Sequence, residues 1–217
     1  MRLSMLLALA RAEVRSIRRL VRYWMFAGLS VGITLLIYLY YAGIHGFVSR
    51  FSATIGAAAP RYLMPPMGIY LMVIFLLGLI FLAFDVRARD ERERIAEVLD
   101  SRPVSNPELL VGRGIGLVLM ALAPVLFVTV VIQAFGSAAL AFGWYLGERV
   151  EPYSLVSFIL DAVSTFSLWC VVVMLLAVLV RNRLLVALAA LILVGVQFWL
   201  AFQLPLYLQG IVSLILN

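Results

Sequence analysis

The residues best placed to do chemistry lie between Asp85 and Arg113, where twenty-nine positions hold seven of the chain's eleven acidic residues and six of its seventeen basic ones. Opposite charges stand four apart at Arg87 and Glu91, at Arg89 and Glu93, and at Asp90 and Arg94, and no Gly or Pro interrupts 87–100. That spacing predicts a helix with a charged, exposed face. Ile95, Val98 and Leu99 add a short apolar edge. Such a helix suits a partner's groove, with apolar contact giving affinity and charge setting register. Pro103 breaks it. Ser105, with Pro107 following and Glu108 three residues on, reads as a capping box that starts a new helix at about Asn106. Helix, stiff turn and helix in succession would carry a movement of the first piece into whatever follows Asn106. The plainer alternative is a solvated loop whose charges only fix membrane topology, and composition leaves both open.

Asp161 is the one acidic residue inside a long apolar run, and Ser154, Ser157, Asp161 and Ser164 fall on one helical face at steps of three and four. A charge at the centre of a bilayer costs about 2.5 to 3.5 kcal/mol on insertion scales, so this face is expected to look at protein or water. It either lines a path for substrate or makes an interhelical hydrogen bond close to interfacial water. Gln133, Gln197 and Gln203 carry the same pair of readings. His45 has no Cys, Asp or Glu nearby and reads as a solvated loop residue, and Cys170 in its apolar run as a small buried hydrophobe. No Ser, His and Asp set, no paired intramembrane carboxylates, no HExxH and no Cys and His cluster supports catalysis or a metal site. All seventeen basic residues are Arg. Without a Lys the chain can neither grip ATP through a P-loop nor form a Schiff base.

The elements that must position these residues are membrane helices. The chain is 65% hydrophobic and 13% charged with a mean hydropathy of +1.11, against about 25% charge in a soluble domain. The predicted fold is all-α, a single polytopic domain over 1–217 with spans at 24–44, 66–84, 114–143, 155–180 and 184–202, each near the length that crosses a bilayer. Residues 1–22 place Leu3, Leu6, Leu7, Ala10, Val14, Ile17 and Val21 on one stripe and most arginines off it, the pattern of an amphipathic interfacial helix. A cleaved signal peptide is the rival reading, but its arginines would precede the apolar run. Gly28 and Gly32 form a small-xxx-small pair that could admit another helix. The uncharged run 114–147 is read as one long span bent near Pro124, because that assignment puts fourteen arginines inside and only Arg50, Arg61 and Arg149 outside. The basic excess is therefore topology and not nucleic-acid binding. Arg89 to Arg94 could attract anionic headgroups, but the acidic residues among them argue against a purely basic lipid patch.

The blocks Arg92-Glu93-Arg94, Glu97-Val98-Leu99, Arg102-Pro103-Val104-Ser105, Glu108-Leu109-Leu110 and Gly112-Arg113, in that order between the second and third spans, resemble the permease family of exporter-type ABC transporters. The surface helix before the first span and the Arg181-Asn182-Arg183 turn are also similar to that family. The resemblance implies that 85–113 is a cytoplasmic coupling segment held by a separate ATPase subunit. Arg89, Arg92, Glu93, Arg94, Glu97, Leu99, Arg102, Pro103, Ser105 and Glu108 would be its contact and transmission residues. It further implies a second permease copy or a related permease, no cofactor in this chain, ATP and Mg on the partner ATPase, and a bacterial inner membrane with the N-terminus cytoplasmic. The family has six spans and this chain has five, so 204–217 reads as the family's outer helical excursion, cut off. A non-transporting scaffold whose loop recruits a soluble partner is the alternative, and an intramembrane enzyme using Asp161 the weakest one.

Overall fold

A computed structural model of the chain describes residues 3–48, 64, 68–78, 80, 106–144, 149–180 and 183–216, and among them all regular structure is helical. Among the described residues the helices follow in the order α1 Leu3–Ile17, α2 Val21–Val48, α3 Gly68–Gly78, α4 Asn106–Ala141, α5 Pro152–Leu179 and α6 Arg183–Leu216. Three stretches, Val21–Phe47, Glu108–Ala141 and Pro152–Leu176, are long and apolar enough to cross a membrane. They make the chain an integral membrane protein. Gly68–Gly78 and Leu185–Leu200 are shorter apolar helices.

Helix α2 shows how the bundle chooses its inside. Its buried residues are Tyr23, Ala27, Ser30, Thr34, Tyr38, Ala42 and Gly46, at steps of three and four, whereas Leu29, Leu36 and Leu39 are exposed. A helix in lipid gains nothing by hiding leucine from leucine-like acyl chains, so small and polar residues mark the packed face. The hydroxyl of Tyr23 donates to the carbonyl of Met120 at 3.2 Å, and the Tyr38 and Phe135 rings meet edge to face at 6.4 Å. Equal steps along both chains make α2 and α4 parallel. Tyr23, Phe75 and Phe166 form a chain of edge-to-face rings through the core, linking α2, α3 and α5 at 6.1 and 5.8 Å.

The third predicted span is a single helix. It begins at Asn106, where the capping signal puts it, and continues through Pro124 to Ala141. Gly143, at φ 64°, ends the run in the left-handed region that favours glycine. Helix α5 then starts with Pro152 in its first turn and comes back antiparallel to α4, with Cys170 beside Gly114 at one end and Val150 beside Gln133 at the other. Pro at that position suits a helix start, since its missing N–H would have no intrahelical partner there.

Other boundaries differ from the expectation. Residues 1–22 are not one helix: α1 closes at Ile17, Leu20 donates its N–H to the Ile17 carbonyl at 2.9 Å, and α2 starts at Val21. His45, expected in a loop, sits in the last turn of α2. The second predicted span, 66–84, is described as helix over Gly68–Gly78. The fifth span does not stop near Phe202 before a separate excursion. Helix α6 runs unbroken through Pro205 and Gly210 to Leu216.

Candidate functional site

Of the expected coupling residues, Arg89, Arg92, Glu93, Arg94, Glu97, Leu99, Arg102, Pro103 and Ser105 lie outside the described residues, and Glu108 stands half-buried in the first turn of α4. What can be built is the root of α4 into which the segment runs, and the faces that α4 and α5 present further along.

The root of α4 is held by α1. A Cβ added to Gly112 would come within 2.7 Å of the Leu9 Cβ, and one added to Gly116 within 2.7 Å of the Glu13 Cβ and 3.0 Å of the Ala10 carbonyl. Those distances leave room for hydrogen only, so the two glycines form a seat on which α1 lies against the α4 backbone. Its packed face includes Ala10, Glu13 and Ile17, all buried. That face is rotated from the predicted apolar stripe, since it takes in an acidic residue and leaves Leu3 and Leu7 exposed. Gly28 and Gly32, the pair singled out from the sequence, have nothing within 4 Å of an added Cβ. Sequence reasoning missed Gly112 and Gly116, although their four-residue spacing carries the same signal.

On the adjoining side of α4, a groove of about 550 Å³ runs between α4 and α5, lined by Leu110, Val111, Gly114, Val118, Cys170 and Met174 among others. Its walls are almost wholly apolar, so it accommodates hydrocarbon and not an ion. The Cys170 thiol donates weakly to the Gly114 carbonyl at 3.8 Å.

The polar face of α5 is divided. Ser154 is buried, Ser157 half-buried, and Asp161 and Ser164 are exposed. The Ser164 hydroxyl donates to the Asp161 carbonyl at 2.9 Å. The two α4–α5 contacts set the register, and Asp161 stands level with the middle of α4, near Ala123 and Pro124, about 14 Å along its own helix. Its neighbours Val156, Leu160 and Val163 are exposed as well. Among the described residues the carboxylate is therefore exposed, level with the middle of α4.

The glutamines behave as packing groups. Gln133 Oε1 accepts the Val150 N–H at 3.0 Å, tying the chain just before α5 to α4, and Gln197 Oε1 accepts from the Trp169 indole, joining α5 to α6. Gln203 is half-buried. Among the described residues, no three His, Cys, Asp or Glu side chains cluster so as to hold a metal ion. Comparison with family models, with curated proteins and with solved structures gave no match.

Proposed function

We propose that this chain is the membrane permease subunit of an ABC exporter, which converts ATP hydrolysis by a separate ATPase subunit into movement of a substrate between two permease halves. The observation that carries the reading is the unbroken course of α4 from Asn106 to Ala141. A push on the segment ending at Ser105 enters α4 at Glu108, and a continuous helix passes it to mid-membrane, level with Asp161. The exposed Asp161 and Ser164 add support, because a carboxylate within a spanning helix needs water or protein on a side that the described residues leave open. A path between two permeases, from two copies or from a related pair, supplies both. In this reading Arg89, Arg92, Glu93, Arg94, Glu97, Leu99, Arg102, Pro103 and Ser105 contact the ATPase or transmit its stroke, ATP and Mg are bound by that partner, and α1 faces the cytoplasm of a bacterial inner membrane.

The test is coupled turnover. The reading expects an ATPase reading frame beside this one, and the purified pair should hydrolyse ATP faster than that ATPase alone. The charge reversal Glu93→Arg with Arg94→Glu should abolish that stimulation while membrane insertion is unchanged. Stimulation that survives the reversal would sink the proposal, and an absence of any ATPase effect would favour the scaffold instead.

A further inference from the structure

We infer that α4 carries a joint at residues 120–124, latched by the Tyr23 hydroxyl of α2. Pro124 stands inside the 36 residues of α4 and has no N–H, so the Met120 carbonyl, four residues back, lacks the donor that a regular helix supplies. The Tyr23 hydroxyl donates to that same carbonyl at 3.2 Å. Tyr23 and Met120 are 3% and 6% exposed and Pro124 is buried as well, so water has little access to take its place. A buried carbonyl needs a donor, and where proline interrupts a spanning helix a neighbouring helix can supply one.

The chain that packs along α4 is broken at the same level. Leu9 stands against Gly112 and Glu13 against Gly116, so Ile17, one turn further, comes level with Met120. Tyr23 reaches Met120 from α2. The turn between them, residues 18–20, where the N–H groups of Arg19 and Leu20 bond to the Ser16 and Ile17 carbonyls, therefore lies at the level of the Met120 carbonyl. Beyond it α2 continues along α4, with Tyr38 against Phe135. Helix α1 with residues 106–120 of α4 makes one arm, and α2 with residues 124–141 makes the other. Both strands of the pair have their weak point where the arms meet. Just past Pro124 the Thr129 hydroxyl donates to the Val125 carbonyl at 2.8 Å, a competition with the backbone that often bends helices.

Neighbouring rings hold Tyr23 for this role. It meets Trp24 and Phe75 edge to face at 5.2 and 6.1 Å, and Phe75 meets Phe166 at 5.8 Å. Trp24 in turn donates its indole N–H to the Arg18 carbonyl at 2.9 Å, closing the 18–20 turn. The latch thus ties α2, α3 and α5 to α4 at the level of Asp161. With the Tyr23 bond made, α4 is one rod. With it broken, residues 120–124 are free to bend and the α1 arm to tilt on the α2 arm. The joint goes beyond the exporter reading and does not rest on it; in an exporter it would hold or release a movement entering at Asn106.

Amide hydrogen exchange and thermal unfolding of the full chain in micelles test the latch. Tyr23→Phe keeps the ring and removes only the donor. It should speed exchange across residues 121–128 by about 2- to 10-fold, the equivalent of one net hydrogen bond, while residues 132–139 keep their rates. The Tm should fall by about 2 to 4 °C. Pro124→Ala restores the helical N–H, so in that background Tyr23→Phe should produce little of either effect. Pro124→Gly restores the same N–H and decides the matter if the alanine variant fails to fold. Equal effects of Tyr23→Phe with and without Pro124 would show that the hydroxyl serves packing alone, and that overturns the proposal. Exchange that rises evenly along α4, or does not change at 121–128, overturns it as well.

Discussion

The Cβ of Glu13 lies 2.7 Å from where a Cβ on Gly116 would stand, so the only acidic residue of α1 is pressed onto a bare stretch of the α4 backbone. This contact decides which way α1 faces. With Glu13 inward, Arg11, Arg15 and Arg18 are turned outward. It also joins the surface helix to the α4 root, close to where the charged 85–105 segment enters.

Gly116→Ala should therefore unseat α1. The new methyl would meet the Ala10 carbonyl, which is backbone and cannot rotate away, as well as the Glu13 Cβ. Overpacking of this kind costs about 1 to 3 kcal/mol. Gly28→Ala and Gly32→Ala, with open space around them, should leave the Tm of the isolated chain unchanged. Thermal unfolding of the three variants in one detergent measures the contrast, and equal effects would refute the seat.

Asp161 and Leu160 are adjacent and both exposed, but only the carboxylate side of the helix is expected to meet water or another protein. In membranes of the assembled complex, Asp161→Cys should react with a membrane-impermeant maleimide or cross-link to a second permease. Leu160→Cys should do neither. The native Cys170 is buried and provides the unreactive background. Equal labelling at 160 and 161 would assign this face to lipid.

The Trp169 to Gln197 hydrogen bond is a direct polar tie between α5 and α6. Interhelical bonds in membranes average about 0.6 kcal/mol and reach about 1.7. A double-mutant cycle with Trp169→Phe and Gln197→Leu should return a coupling within that range from unfolding free energies. A coupling of zero would mean that apolar packing alone, such as that of Val186, Ala190 and Val194, holds α6.

Gln133→Ala should cost more than its exposure suggests. It leaves the Val150 N–H without its acceptor, and Val150 is only 2% exposed. An unsatisfied buried donor costs about 1 to 3 kcal/mol. Gln133→Glu, which keeps an acceptor, should recover part of the loss in the same unfolding assay.

The sequence by itself determined the class of this protein and the course of its longest helix. Hydropathy and length are local properties, so the apolar helices, the start of α4 at Asn106 and its passage through Pro124 could be read directly. The roles of Gln133 and Gln197 as packing groups were within reach for a related reason, because a polar side chain in an apolar run must find a partner. Which face each helix turns inward was not legible. Lipid is as apolar as a protein core, and α2 buries Ser30 and Thr34 while exposing Leu29 and Leu36, so hydropathy has no direction to report. Only the tertiary structure decided that the close-packed glycines are Gly112 and Gly116 instead of Gly28 and Gly32, that Glu13 is inside, and that Asp161 is exposed. Each of these depends on the neighbouring helix, and the sequence of one helix does not contain the surface of the next.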